Sequence, residues 1–255
     1  MPATPTLGLP LALALVVLLA LAVGVARVGR IPVATSLATA AVRACVQLAA
    51  VSVVIAAVLG HVWSALLFAA GMFAVATLTA AGRVAARRDS AWIALALAAG
   101  VVPVLVIIFG LQTTDFTGPA IVPIAGIIIG GTMTAHTLTA RRAFDALRAD
   151  RGQVEAALAL GMDRRDAISL VISRYSREAL NPAIDQTRTV GLVTLPGAFV
   201  GVLLGGGSAA DAAAAQVLVL VGLLAAETSA VEASRRLIAA GRILPGDVRA
   251  VIPSR

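Results

Sequence analysis

The sequence predicts an all-α integral membrane protein of about seven transmembrane helices, N-terminus outside and C-terminus in the cytoplasm. Three observations predict it. Of the 255 residues 60% are hydrophobic and only 13% charged, more apolar surface than a water-soluble fold can hide. The mean hydropathy is +0.98, and the apolar residues fall in runs of about 20, the length that crosses a hydrocarbon layer. Finally, arginines occupy alternate loops only.

In chain order, the apolar runs predict helices at 7–26, 37–59, 63–82, 91–111, 119–140, 190–207 and 215–233. No Lys or Arg precedes the first run, so it lacks the basic leader of a cleaved signal peptide and reads as a retained helix. The second carries Arg43 near its start and Cys45, the only cysteine, which is expected to be a small buried hydrophobe. The third is joined to its neighbours by short connections. Pro103, Pro123 and Pro196 fall in the fourth, fifth and sixth runs, where proline is tolerated and marks kinks. The seventh contains an ionisable residue, Glu227. The sixth and seventh are the least regular.

Sidedness follows from the arginines. Arg27 and Arg30 follow the first run, Arg83, Arg87 and Arg88 the third, the cluster Arg141 to Arg188 the fifth, and Arg235, Arg236, Arg242, Arg249 and Arg255 the seventh. The intervening connections, around His61, Gln112 to Gly118 and Gly205 to Asp211, contain none. With seven crossings every arginine lies at the inner face; an even number breaks the pattern.

The one wide gap, 141–189, is too polar to span, yet its apolar residues recur at helical spacing: Phe144, Leu147, Val154 and Leu158 on one face, Ile168, Val171, Ile172 and Tyr175 on another. Asn181-Pro182 interrupts this pattern. The single permease domain, 1–255, thus carries a cytoplasmic coupling segment of short helices at about 141–189.

Composition also excludes function classes. The +7 net charge is spread over loops without interleaved aromatics, so it is not a nucleic-acid surface. All 20 basic residues are arginine, so the lysine-bearing phosphate loop GxxxxGK[ST] cannot occur, and ATP used by this protein must bind elsewhere. No catalytic triad or paired-carboxylate site stands out, which predicts a non-catalytic subunit.

Within the cytoplasmic segment, Glu155, Ala156 and Ala157 are followed by Gly161, matching the EAAxxxG core of the loop that couples many ABC importer permeases to their ATPases. The importer pattern ends Ile-x-Leu-Pro, whereas residues 171–174 read Val-Ile-Ser-Arg. A closer resemblance lies in three longer strings: Val42 to Leu48 (VRACVQL), Ile121 to Gly130 (IVPIAGIIIG) and Ala183 to Gly197 (AIDQTRTVGLVTLPG), with Leu160-Gly161-Met162 between the second and third. Together they resemble the FetB-type permeases, bacterial proteins linked to iron export and related to plant permeases associated with aluminium tolerance.

The resemblance implies a permease homodimer in a bacterial plasma (inner) membrane, driven by two copies of a soluble ABC ATPase that binds the ATP and Mg, and exporting a metal ion or metal-linked solute. This chain would itself bind no cofactor. Translocation-path candidates are Asp185, Gln186, Thr187 and Thr194, from the third string, and Glu227, an expensive charge inside a span. An alternative function is a proton-coupled secondary transporter using Glu227. Gly126 and Gly130, and Gly197, Gly201 and Gly205, repeat at intervals of four, forming flat ridges for helix packing. Met133 and His136 share a helix face and are weak candidate metal ligands, a packed histidine being the favoured reading because no second imidazole or carboxylate can be placed beside it.

Overall fold

A computed structural model describes residues 8–251. The start of the first predicted run and Arg255 lie outside them. The described chain is α-helical, and six helices are long and apolar enough to cross a membrane.

The first compact unit, which ends at Gly60, is a helical hairpin of α1 (Leu9–Val28) and α2 (Ala34–Leu59). The amides of Gly29 and Ile31 close its turn onto Val25 O and Ala26 O, both at 2.8 Å, and Arg30 takes a positive φ of 52°. Only Ala26 and Val58 are buried on these two helices, so most of their leucines and valines face outward, as lipid-solvated helices do.

The second unit, from His61 onward, contains α3 (Val62–Arg83), α4 (Ser90–Gly110), α5 (Gly118–Ala149), α6 (Arg151–Ala159), α7 (Arg164–Ile172), α8 (Asn181–Thr189), α9 (Gly197–Leu204), α10 (Ala209–Ala239) and α11 (Gly246–Val251). α10 is its axis: it packs along α4 and α5 and also meets α7, α8 and α9, while α3 lies against α5. The contact between α10 and its neighbours is close because glycines remove side chains there. A Cβ on Gly100 of α4 would overlap the Ala226 carbonyl of α10, and one on Gly131 of α5 would overlap Leu223. At Gly222 a Cβ would press on Val104 and Ile108.

At one end of this unit the arginine-bearing segments are tied to one another. Arg141 donates to Arg83 O, and Arg148 Nε to Asp247 Oδ2 at 2.8 Å. Buried Asp89 accepts from Leu244 N at 3.0 Å and Arg249 Nη2 at 2.7 Å, holding the C-terminal turn and α11. Arg235 reaches Ser169 Oγ at 3.2 Å. The opposite end is formed by the α4–α5 connection and the α9–α10 turn, which have no arginine.

Two expectations are corrected. The run 190–207 is not one helix: α8 ends at Thr189, residues 190–196 are non-helical, and only α9 follows. The break has local causes, since Gly191 adopts φ +79° and Leu195 precedes Pro196, which disfavours helical geometry in it. The broken segment still climbs along α10. Ala179 and Leu180 pack near Val231, whereas Phe199 N donates to Gln216 Oε1 at 3.2 Å. From 231 to 216 is 15 residues, or about 22 Å of helix.

Second, the fifth helix does not stop near 140. α5 has 32 residues, about 48 Å of helix, and projects well past a hydrocarbon core of about 30 Å. Phe144 and Leu147 belong to this projection and Val154 and Leu158 to α6, the chain turning between them at Asp150. α8 begins at Asn181, with Pro182 in its first turn, where the missing N–H of proline costs nothing.

The glycine contacts predict a contrast. Gly100→Val should destabilise the fold at the upper end of the roughly 1–3 kcal/mol typical of overpacking, because the obstacle is α10 backbone. Gly201→Val, which meets nothing within 4 Å, should leave the thermal stability of the detergent-purified protein unchanged. Equal melting shifts for the two variants would refute this packing account.

Candidate functional site

The broken segment has a physical consequence. Non-helical backbone at membrane depth is tolerated where it lines a cavity or is buried in protein. Here α8, the break and α9 stand beside a cavity of about 1140 Å³ walled by α5, α9 and α10 and reaching Thr113 and Thr114 at the arginine-free end. Its α10 wall runs from Asp211 to Leu223, 12 residues or about 18 Å.

The walls are mainly apolar with a few oxygen-bearing side chains. Gln186 of α8 lines the cavity, as do Gln216 and the hydroxyl residues Thr113 and Thr114. Gln216 also holds α9 in place through the Phe199 bond. Asp211 is committed to the start of α10: it accepts from Ser208 Oγ at 2.6 Å and Ser208 N at 3.1 Å, and its own amide donates back to Ser208.

Of the predicted path residues, Gln186 alone is placed on this wall. Asp185 is exposed beside Arg188 at 3.9 Å, Thr187 donates to Ala183 O at 2.8 Å, and Thr194 closes the break by accepting from Gly191 N at 2.9 Å. These three lie mid-helix or in the break, not at a helix start. Glu227 lies below the cavity, one turn beyond Leu223, and is 7% exposed. Its carboxylate has no hydrogen bond or ion pair among the described residues.

Within the chain the glycine ridges do not make the close helix contacts. Gly197 and Gly201 meet no neighbouring helix within the chain and instead line the cavity. Gly130 faces open space, Gly126 only approaches the Met72 side chain at 3.8 Å, and Gly205 caps the end of α9. The close contacts belong to Gly100, Gly131 and Gly222, whose spacing carries no motif. Gln216, a lone amide in an apolar run, was visible as a signal but was missed.

His136 is fully buried, its Nδ1 2.7 Å from Ser234 Oγ. Because that hydroxyl donates to Ala230 O at 2.6 Å, the proton between ring and serine resides on Nδ1. Nε2 is buried without a partner. Among the described residues no three His, Cys, Asp or Glu side chains gather as a metal site, so Met133 and His136 are not joined by further ligands. Cys45 is exposed on α2 rather than buried.

At the arginine-rich end, α6 presents Glu155 and Ala156 outward, with Glu155 bonded to Arg151 Nε at 2.7 Å. Ala157, expected to face a partner, is buried in the core instead. α6 ends in a Schellman turn: Met162 N donates to Ala157 O at 3.1 Å and Gly161 N to Leu158 O at 3.0 Å, with Gly161 at φ +88°. The turn displays Leu160, 86% exposed, and Met162. Beside it, Asp163, Arg165, Asp166, Ser169, Arg235 and Arg236 border a polar cleft of about 470 Å³.

The model of an uncharacterised protein family, UPF0014, matches residues 9–240. The chain is 36% identical over 135 residues to "UPF0014 membrane protein STAR2" of Oryza sativa subsp. japonica, covering 53% of this chain and 47% of that protein. It is 34% identical over 134 residues to "Protein ALUMINUM SENSITIVE 3" of Arabidopsis thaliana, covering 52% and 49%. To "Probable iron export permease protein FetB" of Escherichia coli (strain K12) it is 32% identical over 135 residues, covering 53% and 51%. The chain thus spans about half the length of these relatives. No solved structure matches it.

If the cavity is water-filled, cysteines placed at Gly201 and Thr113 in a Cys45→Ser background should react with a water-soluble maleimide at comparable rates. Ala226→Cys, fully buried between α10 and α4, should stay unreacted. Labelling confined to Thr113→Cys would mean that the cavity is closed to water.

Proposed function

We propose that this chain, which belongs to the UPF0014 family of membrane proteins, is the membrane-spanning permease subunit of a bacterial ABC transporter in the plasma (inner) membrane. It works as a homodimer with a separate ATPase that binds ATP and Mg, and it exports a metal ion or a metal-linked small solute. By the positive-inside rule the arginine-rich end is cytoplasmic, which leaves the cavity at the outer end.

The observation that carries the reading is the exposed end of α6. Leu160 and Met162 lie at the polar end of the molecule, where no lipid covers them, and exposed apolar side chains rimmed by charge mark a protein docking site. Glu155 and Arg151 form that rim. A chain with no lysine cannot build a phosphate loop, so hydrolysis belongs to the docked partner.

The cargo reading is supported by the cavity's chemistry and by the relatives' names, one an iron export permease and one an aluminium-sensitivity protein. Apart from Asp211, the polar side chains on the wall are threonine hydroxyls and glutamine amides, of which Thr113 donates to Ile108 O and Gln216 accepts from Phe199 N. Oxygen donors suit hard, hydrated cations or oxygen-rich complexes of them, not thiolate-bound metal.

Purified alone, the chain should show no ATPase activity, and it should co-purify with the soluble ATPase of the same transporter when the two are expressed together. Gly161→Val forces a β-branched residue into a positive φ and should abolish that co-purification while the protein still reaches the membrane. Proton-driven uptake of cargo by vesicles containing this chain alone, unaffected by Gly161→Val, would instead favour a secondary transporter using Glu227.

A further inference from the structure

We propose that Glu227 is a cation-binding carboxylate set directly beneath the cavity and sealed from it by Leu223. The inference rests on the cavity being the translocation path, and it adds the binding point at its floor. Leu223 is the last α10 residue on the cavity wall. Glu227 follows four residues later on the same helix face, about 6 Å further along the axis. Both side chains lodge against Gly131 of α5, where a Cβ would overlap Leu223 Cδ1 and lie 2.6 Å from Glu227 Oε1. The glycine is thus a notch that lets a carboxylate and the leucine above it share one helix crossing.

Glu227 as a residue is 7% exposed, and its carboxylate has no hydrogen-bond or ion-pair partner among the described residues. A buried charge without a partner is expensive, and a cation that visits the site supplies the missing partner. Arg235 and Arg236, the nearest on α10, are both held by Glu232, with bonds of 2.6–2.9 Å. α4 has no titratable side chain, and on α5 the only one before Arg141 is His136, whose Nδ1 is tied to Ser234.

The chemistry defines the ligand class. A carboxylate that belongs to no cluster of three or more His, Cys, Asp or Glu side chains among the described residues suits a small cation that brings its own water, or a proton, and not a dehydrated metal held by a protein cage. Leu223, only 8% exposed, separates this point from the cavity. Its displacement from the Gly131 notch opens the way between them.

The test uses the purified full chain and reads neither transport nor ATPase, so its failure leaves the permease reading standing. Amide formation at Glu227 with a water-soluble carbodiimide and glycinamide is followed by peptide mass spectrometry, with exposed Asp115 as the internal reference. The native protein should react far more slowly at Glu227 than at Asp115, and Leu223→Ala should remove most of the difference. Leu223→Val serves the same purpose if Leu223→Ala does not fold. In the opened variant, suppression at Glu227 but not at Asp115 by manganese chloride assigns the site to a hydrated divalent cation. Insensitivity to manganese, with reactivity at Glu227 fading at higher pH than that at Asp115, assigns it to a proton. Equal native reactivity of the two carboxylates overturns the seal. Reactivity in the opened variant that follows neither manganese nor pH differently from Asp115 overturns the binding site, as does an inert Glu227 in every variant.

Discussion

The close crossing of α10 with α4 and α5 is the constraint on which the second unit depends. Without water to drive helices together in a bilayer, association relies on packing, and packing requires that backbones approach. Gly100, Gly131 and Gly222 supply that approach at three levels of one seam. Above the seam α10 is free to serve as a cavity wall, and below it Arg235 and Arg236 reach the α7 segment. The cavity and the arginine-rich end are therefore joined by one helix, α10.

The broken crossing follows a second constraint. A run containing Gly191 and Pro196 cannot keep a helical ladder, and carbonyls and amides released from it must be satisfied by turns, protein or water. Part of the requirement is met inside the break, where Gly191 N donates to Thr194 O, and part by Gln216, which accepts from the third amide of α9. A single amide side chain in an apolar stretch of α10 thus anchors a half-length helix and at the same time faces the cavity. The glycines of α9 then act as open wall, because a side chain there would fill the space.

At the other end, charge and length work together. α5 and α10 outrun the hydrocarbon, and their projecting turns carry arginines paired with Asp247 and Glu232. The Arg148 hydrogen bond holds the Asp247 carboxyl below its ordinary pKa. Such exposed pairs contribute little stability singly. The buried Asp89 contacts to Leu244 and Arg249 matter more for position, because they fasten the C-terminal turn beside the loop that follows α3.

Some of this was legible in one dimension. Membrane class, helix positions apart from 190–207 and the far end of the fifth helix, the grouping of arginines at one end of the second unit and the lack of a phosphate loop depend on composition and on spacing along the chain, which folding does not change. Gly161 was legible as a turn because its conformational freedom is a property of the residue itself. Which glycines are buried was not, since Gly130 and Gly131 are neighbours in sequence and differ only in the helix face they occupy. The same holds for Gln186 against Asp185, and for Glu227, whose isolation depends on what lies across the crossing. The sequence by itself determined the solvent each segment needs and the side its charges prefer. Only the tertiary structure decided which faces meet, because contact across helices is set by rotation about each axis, and spacing alone leaves that angle open.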